Sequence, residues 1–239
     1  MPRPHRAPRR FAAAPRRALL VAVLALLAML PLASAAQSAA PSVAAPVEGS
    51  DYVVIANGQP WQPLKGQVEV VEIFAYSCSH CAALEPKLSA WKAKQRSDVR
   101  VTYVPAAYNH SDAFARGFFA AQSLGATQQT HAALFRAVHD AKSLPMRNPS
   151  IGEISTFYRQ QGVDAAKFDA AINGPLVDAE MLRAREFVVA SGLEGTPTLI
   201  VDGKYRVLGS SHDEALRIAE QLIAIERAAR KTASATKRR

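Results

Sequence analysis

The sequence predicts an α/β fold in which a mixed sheet is interrupted by an inserted helical domain. Three observations support this prediction. A strongly apolar segment at 67–76 runs into a segment with helical spacing. An Asp-Gly hairpin joins two short strands within residues 195–207. Between these regions lie five further helix-compatible segments. About 180 residues remain when the two ends of the chain are left out, which is enough to bury a sizeable core without disulfide bonds.

Residues 1–35 have the pattern of a secretory signal peptide. A 13-residue apolar stretch from Ala18 to Leu30 precedes the small-residue cleavage site Ala33-Ser34-Ala35. The basic region before it contains no acid and six arginines: Arg3, Arg6, Arg9, Arg10, Arg16 and Arg17. The apolar stretch is short for a membrane span, although an uncleaved anchor is the alternative. We therefore expect export to the periplasm, with the signal removed.

The first part of the exported chain is predicted to be a linker followed by an edge strand. Residues 36–50 are rich in Ala, Pro and Ser, which is typical of a linker. Residues 52–56 have strand character and precede turns at Pro60 and Pro63. The compact domain is therefore expected to span 51–229, with a basic tail at 230–239.

A buried strand and a helix form the predicted start of the core. Residues 67–76 are rich in β-branched and aromatic side chains, and their nearly continuous apolar run predicts a strand buried on both faces. After Cys81 the apolar side chains recur at helical spacing, and the helix is expected to end near Lys94. Pro86 lies inside this helix and removes one hydrogen bond, so we expect a kink there.

A helical insertion is predicted at about 108–190, after a second core strand that includes residues 101–105. Gly and Pro residues separate its helix-compatible segments, which are 112–123, 128–141, 151–161, 165–172 and 176–191. Its apolar side chains at helical spacing include Phe114, Phe118, Phe119, Leu134, Phe135 and Val138. Most of them are expected in the core, and some could line an apolar groove for unfolded substrates.

The last strands are predicted around a hairpin turn at Asp202-Gly203. Pro197 opens the first of these strands, where proline is tolerated. Base rates favour an ordinary trans proline at such a position. The surrounding Gly195-Thr196-Pro197 sequence nevertheless indicates a cis bond between Thr196 and Pro197.

The two cysteines of the chain lie in the motif Cys78-Ser79-His80-Cys81, between the predicted strand and helix. This spacing places the first sulfur on the first helical turn, where free N–H groups and the helix dipole favour a thiolate. The pKa of Cys78 should therefore lie below that of a free thiol. An imidazole at His80 would support the anion if it lies beside the sulfur. An acidic thiol is a good leaving group, so the disulfide should oxidise other proteins.

Two other roles for the cysteine pair are weaker. A structural disulfide that encloses only two residues removes little entropy from the unfolded chain. A structural zinc site needs four ligands, and the chain has no second cysteine pair. Beyond His80, the remaining histidines of the exported region show no zinc-finger spacing: His110, His131, His139 and His212. We therefore expect a redox dithiol and no metal.

These motifs resemble those of the DsbA-type periplasmic thiol:disulfide oxidoreductases, which have a thioredoxin-like fold. The resemblance rests on residues 72–81, which are similar to the family's active-site strand and motif, and on 195–197, which are similar to its cis-proline loop. It covers about residues 51–229. It implies a protein disulfide oxidoreductase that promotes the oxidative folding of reduced exported proteins.

The resemblance also implies roles for individual residues. Cys78 would be the attacking and leaving sulfur, Cys81 the resolving sulfur, and Pro197 the cis-proline that faces the disulfide. Thr196 would offer backbone hydrogen bonds to an extended substrate, and we group Ser79 with it as a substrate-binding residue. The activity needs no cofactor beyond the cysteine pair, and reoxidation is expected from a quinone-linked membrane oxidase.

Glu72 is a carboxylate within the apolar strand, six residues before Cys78. Burial disfavours its charged form, so its pKa should be raised. The resemblance implies that an acid at this position assists proton movement at the buried cysteine. The alternative is a carboxylate that reaches solvent or a hydrogen bond at the end of the sheet. Some family members pair this acid with a lysine on the next strand, but residues 101–105 offer none.

The charge of the chain is concentrated at its ends. The formal net charge is +9, with +6 in residues 1–35 and +5 in 226–239, which leaves −2 for the domain between them. The high isoelectric point therefore does not indicate nucleic-acid binding. The basic C-terminal residues are expected to form a solvated helix end and tail, with contact to an anionic membrane as the alternative.

Two alternative functions remain open at this point, and we expect a monomer in each case. A disulfide reductase or isomerase of the same fold would keep Cys78 reduced, although dedicated isomerases usually add a dimerisation domain. A non-catalytic periplasmic module that binds a metal or a peptide would keep its function when Cys78 becomes Ser.

Overall fold

The computed structural model describes residues 44–62 and 66–236. These residues form a five-stranded mixed sheet with the strand order β1-β5-β4-β2-β3. The strands are β1 (Tyr52–Val54), β2 (Val68–Phe74), β3 (Val99–Pro105), β4 (Thr198–Val201) and β5 (Tyr205–Val207). The α/β fold with a mixed sheet is confirmed.

Strand β2 is the central element of the sheet. It pairs in parallel with β3 and antiparallel with β4, and all seven of its residues are buried. This burial on both faces explains why its sequence is almost continuously apolar rather than alternating. Strands β4 and β5 form the predicted hairpin, and β1 pairs with β5 at the edge. β1 is shorter than the predicted 52–56, since it ends at Val54.

The helices follow the predicted order closely. They are α1 (Ser79–Lys92), α2 (Ala113–Ser123), α3 (Thr127–His139), α4 (Ile151–Gln160), α5 (Ala165–Ile172), α6 (Pro175–Ala190) and α7 (His212–Thr236). Pro86 lies inside α1, as predicted. Local capping explains several helix starts: Asp112 caps α2, and Ser150 and Glu153 form a capping box at α4. Helices α2 to α6 constitute the predicted helical insertion.

Two hydrophobic clusters form the core. One contains Val71, Ile73 and Phe74 of β2 together with the buried side chains of the helical insertion, including Phe118 and Phe135. The other contains Val68 and Val70 of β2, Leu84 and Leu88 of α1, Leu199 and Val201 of β4, and Leu216, Ile218 and Leu222 of α7. Strand β2 therefore connects both halves of the core, and α1 contributes to both clusters through Cys81 and Leu84.

The C-terminal helix extends further than expected. The sequence assigned 230–239 to a basic tail, but α7 continues to Thr236. Arg230 holds the first part of this extension in place, because its guanidinium bonds to the carboxylate of Asp202, in the turn between β4 and β5, at 2.6 and 2.7 Å. The predicted signal peptide at 1–35, most of the linker and the last three residues of the tail lie outside the described residues.

Within 44–62 and 66–236, no helix combines the length and the apolar character needed to cross a membrane.

Candidate active site

Cys78 lies at the N-cap of α1, four residues after the end of β2. A turn forms between the strand and the helix, because the N–H of Cys78 donates to the carbonyl of Ala75 at 3.0 Å. The sulfur of Cys78 then accepts from the N–H of Cys81 at 3.4 Å. Both cysteines are free thiols. Cys78 is half-buried, whereas Cys81 has no exposed surface. Only the first sulfur is therefore open to a substrate.

The loop before β4 lies beside Cys78. Because β4 runs antiparallel to β2 and Thr198 pairs with Ile73, the start of β4 lies next to the end of β2. The thiol of Cys78 donates to the carbonyl of Thr196 at 3.1 Å. The peptide bond between Thr196 and Pro197 is cis, as the sequence indicated. The two predicted motifs, separated by more than a hundred positions in the chain, therefore meet at one sulfur.

The two thiols have very different acidities. The pKa of Cys78 is lowered to about 5, first by a hydrogen bond from the Cys81 thiol and then by the side chain of Thr196 and the backbone N–H groups of Cys81 and His80, against the opposing effect of partial burial. The same hydrogen bond, burial and the charge of Glu72 raise the pKa of Cys81. The exposed sulfur is therefore a stable thiolate at neutral pH, and the buried sulfur holds its proton.

Ser79 and His80 form the exposed first turn of α1. His80 affects the thiolate through its backbone N–H. Its ring lies edge-on to that of His212, the first residue of α7, at a centroid distance of 6.4 Å. Ser79 makes no side-chain hydrogen bond within the described part of the chain. The side chains of both residues are therefore available to a bound substrate.

Glu72 is fully buried on β2. Among the described residues neither of its carboxylate oxygens has a hydrogen-bond partner. Burial, followed by the charges of Glu85 and Cys78, raises its pKa to about 8, which agrees with the predicted direction. The alternative of a carboxylate that reaches solvent or a hydrogen bond is wrong, because Glu72 does neither.

The structure also shows what replaces a lysine opposite Glu72. Tyr103 of β3 is its register partner, as expected from a strand without lysine. Lys92 of α1 instead places its Nζ 5.1 Å from the centre of the Tyr103 ring. Within the described ranges, Glu72 takes part in no ion pair. The buried acid is therefore uncompensated and neutral at neutral pH.

Two histidines that the sequence assigned no role contact the active-site turn. His131 Nδ1 lies 2.8 Å from the hydroxyl of Tyr76, and His139 Nε2 lies 2.7 Å from the Tyr76 carbonyl. Tyr76 precedes Cys78 by two residues. The sequence contains one sign of this arrangement. His131, Phe135 and His139 recur every four residues, and this spacing places them along one side of α3.

One cavity between the sheet and the helices is separate from this site. It measures about 680 Å³ and lies between α1, β3 and the helical insertion, where Glu85, Lys92, Tyr103 and His131 line it together with other side chains. None of the cysteine or cis-proline loop residues contributes to its lining. In the part of the chain that the structure describes, no group of three or more His, Cys, Asp or Glu side chains is arranged to hold a metal ion.

Comparisons with known proteins agree with this geometry. A thioredoxin family model matches residues 63–221. The chain is 33% identical to the thiol:disulfide interchange protein DsbA of Pseudomonas aeruginosa over 221 residues, which cover 90% of this chain and 99% of the relative. It is 34% identical to DsbA of Burkholderia cepacia over 181 residues, covering 74% of this chain and 83% of the relative.

Solved structures show the same similarity. The crystal structure of the oxidoreductase DsbA from Xylella fastidiosa has a TM-score of 0.75 and 44% sequence identity, and covers 77% of this chain and 100% of that one. The structure of Pseudomonas aeruginosa DsbA has a TM-score of 0.69 and 32% identity, and covers 77% and 95% of the two chains.

Proposed function

The chain belongs to the DsbA family of thiol:disulfide interchange proteins, and we propose that it donates the disulfide of Cys78 and Cys81 to reduced exported proteins, promoting oxidative folding in the periplasm. It is a protein disulfide oxidoreductase with a thioredoxin fold. The observation that carries the assignment is the separation of the two thiol pKa values, lowered to about 5 at Cys78 and raised at Cys81. The lowered pKa of Cys78 stabilises the reduced pair relative to the disulfide, which is the direction expected of an oxidant.

In the first step a substrate thiolate attacks the sulfur of Cys78 in the oxidised protein. The bond between Cys78 and Cys81 breaks, a mixed disulfide forms, and the sulfur of Cys81 leaves with the electron pair. Its raised pKa means that it then takes up a proton. We assign Glu72 to supply that proton, because its carboxyl is buried near Cys81 and still protonated at neutral pH.

In the second step another thiolate of the substrate attacks the substrate sulfur of the mixed disulfide. The substrate disulfide forms, and Cys78 leaves as the thiolate that the Cys81 thiol and the Thr196 side chain stabilise. Two electrons have then passed from the substrate to the cysteine pair. Pro197 faces the pair in this assignment, and the backbone beside Thr196 and the side chain of Ser79 contact the extended substrate.

The reduced pair must next lose its two electrons to a partner. We assign this role to a quinone-linked membrane oxidase, and we expect the protein to act as a monomer without metal, flavin or nucleotide. The proposed compartment rests on the basic and apolar pattern of residues 1–35 and on the periplasmic character of the family. Osmotic-shock fractionation should release the protein with the periplasmic fraction, and its mature N-terminus should be Ala36.

The direct test is the oxidation of a reduced, unfolded two-cysteine protein by stoichiometric oxidised enzyme. Substrate disulfides should form as the enzyme dithiol appears. Cys78→Ser and Cys81→Ser should each abolish the reaction, because neither variant can form the disulfide that the substrate thiolate attacks. Substrate oxidation by Cys78→Ser would contradict the assignment. A redox equilibrium with glutathione that lies near that of thioredoxin would make the protein a reductase or isomerase instead.

A further inference from the structure

Tyr76 is held at two separate points by imidazoles of α3. Its hydroxyl lies 2.8 Å from Nδ1 of His131, and its carbonyl lies 2.7 Å from Nε2 of His139. The Tyr76 ring is only 2% exposed and packs against Phe74, Phe114 and Phe135 at centroid distances of 5.0, 5.8 and 4.9 Å. Both ends of the residue are therefore fixed to the helical insertion.

The bond to the carbonyl acts on the turn that presents Cys78. In this turn the carbonyl of Ala75 already accepts from the N–H of Cys78. The carbonyl of Tyr76 takes no backbone hydrogen bond in the described ranges, and its partner there is His139. Because a carbonyl only accepts, Nε2 of His139 carries the hydrogen in this contact. The imidazole thus fixes the plane of the peptide between Tyr76 and Ser77.

We propose that His139 is a positioning residue for Cys78, which holds the Tyr76–Ser77 peptide so that the sulfur stays aligned with the Cys81 amide and Thr196. The proposal rests on the proposed function, in which Cys78 is the attacked and departing sulfur. His139 does not touch the sulfur and acts through Tyr76 and Ser77. The alignment matters because a sulfur–amide contact of 3.4 Å weakens steeply with small changes of angle.

His131 supports the same arrangement from the other end of Tyr76. It is 5% exposed, it is surrounded by the rings of Phe74, Tyr103 and Phe118, and burial lowers its pKa to about 3, so it stays neutral. The bond to Tyr76 therefore remains the same throughout the neutral pH range. Through Tyr76, the helical insertion sets the position of the reactive cysteine as well as covering one side of the core.

The test compares two variants of similar side-chain length in the full-length exported protein. His139→Gln keeps an N–H donor, whereas His139→Met fills the space without one. Arg136→Ala, an exposed site one turn earlier on α3, is the matched control. The Cys78 thiolate is titrated by its ultraviolet absorbance, and thermal unfolding of each variant is recorded alongside.

We expect His139→Met to decrease the acid dissociation constant of Cys78 about fivefold, since one hydrogen bond of this kind is lost. The equilibrium constant for the oxidation of glutathione should decrease by a similar factor. His139→Gln should restore most of both properties, and Arg136→Ala should leave them unchanged. Identical titrations of His139→Met and wild type would overturn the proposal, as would equal losses in the Met and Gln variants. If wild type failed to oxidise substrates while the titrations still differed, the proposed function would fail and the positioning role would stand.

Discussion

The chemistry of this protein begins with the unequal surroundings of two sulfurs. Cys78 has N–H and S–H donors directed at it from the first turn of α1, and it is open to solvent on one side. Cys81 keeps its proton, donates a hydrogen bond from its thiol to that sulfur, and has no exposed surface. The low acidity of one thiol is therefore a condition for the high acidity of the other, and both depend on the same hydrogen bond.

This dependence predicts the effect of removing the Cys81 thiol. Cys81→Ala should raise the pKa of Cys78 well above its value of about 5, because the largest stabilising contact of the thiolate is lost. Cys81→Ser keeps a hydroxyl donor and should raise the pKa less. Thiolate absorbance of Cys78 over a pH series measures both variants. Superimposable titrations of Cys81→Ala and wild type would show that the helix amides alone hold the thiolate.

The burial of the Glu72 carboxyl group should make the stability of the whole domain depend on pH. Its pKa is raised from 4.5 to about 8 in the folded protein. Between these two pH values Glu72 is ionised in the unfolded chain but still protonated in the folded protein, so the folded state loses stability as the pH rises through this interval. Glu72→Gln removes the ionisation and should increase the stability relative to wild type by about 2 to 3 kcal/mol more at pH 7 than at pH 4. Urea unfolding at the two pH values measures this difference. An equal effect of the substitution at both would contradict the burial of an uncompensated acid.

At the scale of elements, the β4–β5 hairpin is fixed to the C-terminal helix. Asp202 in the hairpin turn bonds to Arg230, and the buried carboxylate of Glu226 accepts from Lys204 Nζ at 2.7 Å and from the Tyr205 hydroxyl at 2.9 Å. Asp202 adopts a positive φ of 55°, a conformation that Asp tolerates better than most residues. Helix α7 therefore supports the turn that ends β4, the strand whose other end carries Pro197.

The ion pair between Arg230 and Asp202 can be tested by removing its cation. Arg230→Ala leaves the carboxylate of Asp202, which is 9% exposed, without its bidentate partner, and should destabilise the protein by about 1 to 3 kcal/mol. Lys231→Ala, at the next and more exposed position, should change the stability by less than about 0.5 kcal/mol. Urea unfolding near pH 7 compares them. Equal losses in both variants would mean that helix propensity, and not the ion pair, determines the effect.

The sequence predicted those helices, strands and turns that are determined by residues close together in the chain. The apolar run of β2, the Asp-Gly turn and the proline and glycine interruptions of the insertion act within a few residues, and their boundaries agree with the structure to within two or three positions. The contacts of Arg230 with Asp202, and of His131 and His139 with Tyr76, join distant parts of the chain. No periodicity shows which helix will face which strand, so a histidine on α3 gave no sign of its partner.

At the scale of the whole molecule, the two redox forms differ in the interactions that stabilise the folded state. The oxidised form has a disulfide that encloses two residues and constrains the unfolded chain little. The reduced form has a thiolate whose contacts exist only in the folded protein. Any free energy that these contacts add to folding makes the reduced form the more stable of the two, which is the direction expected of an oxidant.

The pH window of this difference follows from the Cys78 thiol. Its pKa is lowered from 9.0 to about 5 in the folded protein, so its contribution is complete above pH 9 and is lost as the pH falls through 5. The stability of the reduced form relative to the oxidised form should therefore increase steadily from about pH 5 to about pH 9 and be flat below that range. Urea unfolding of both forms across this range measures it, with reduced Cys78→Ser as a control that lacks the trend. A difference that does not change with pH would mean that the thiolate contacts persist in the unfolded chain, and the oxidising strength would then need another source.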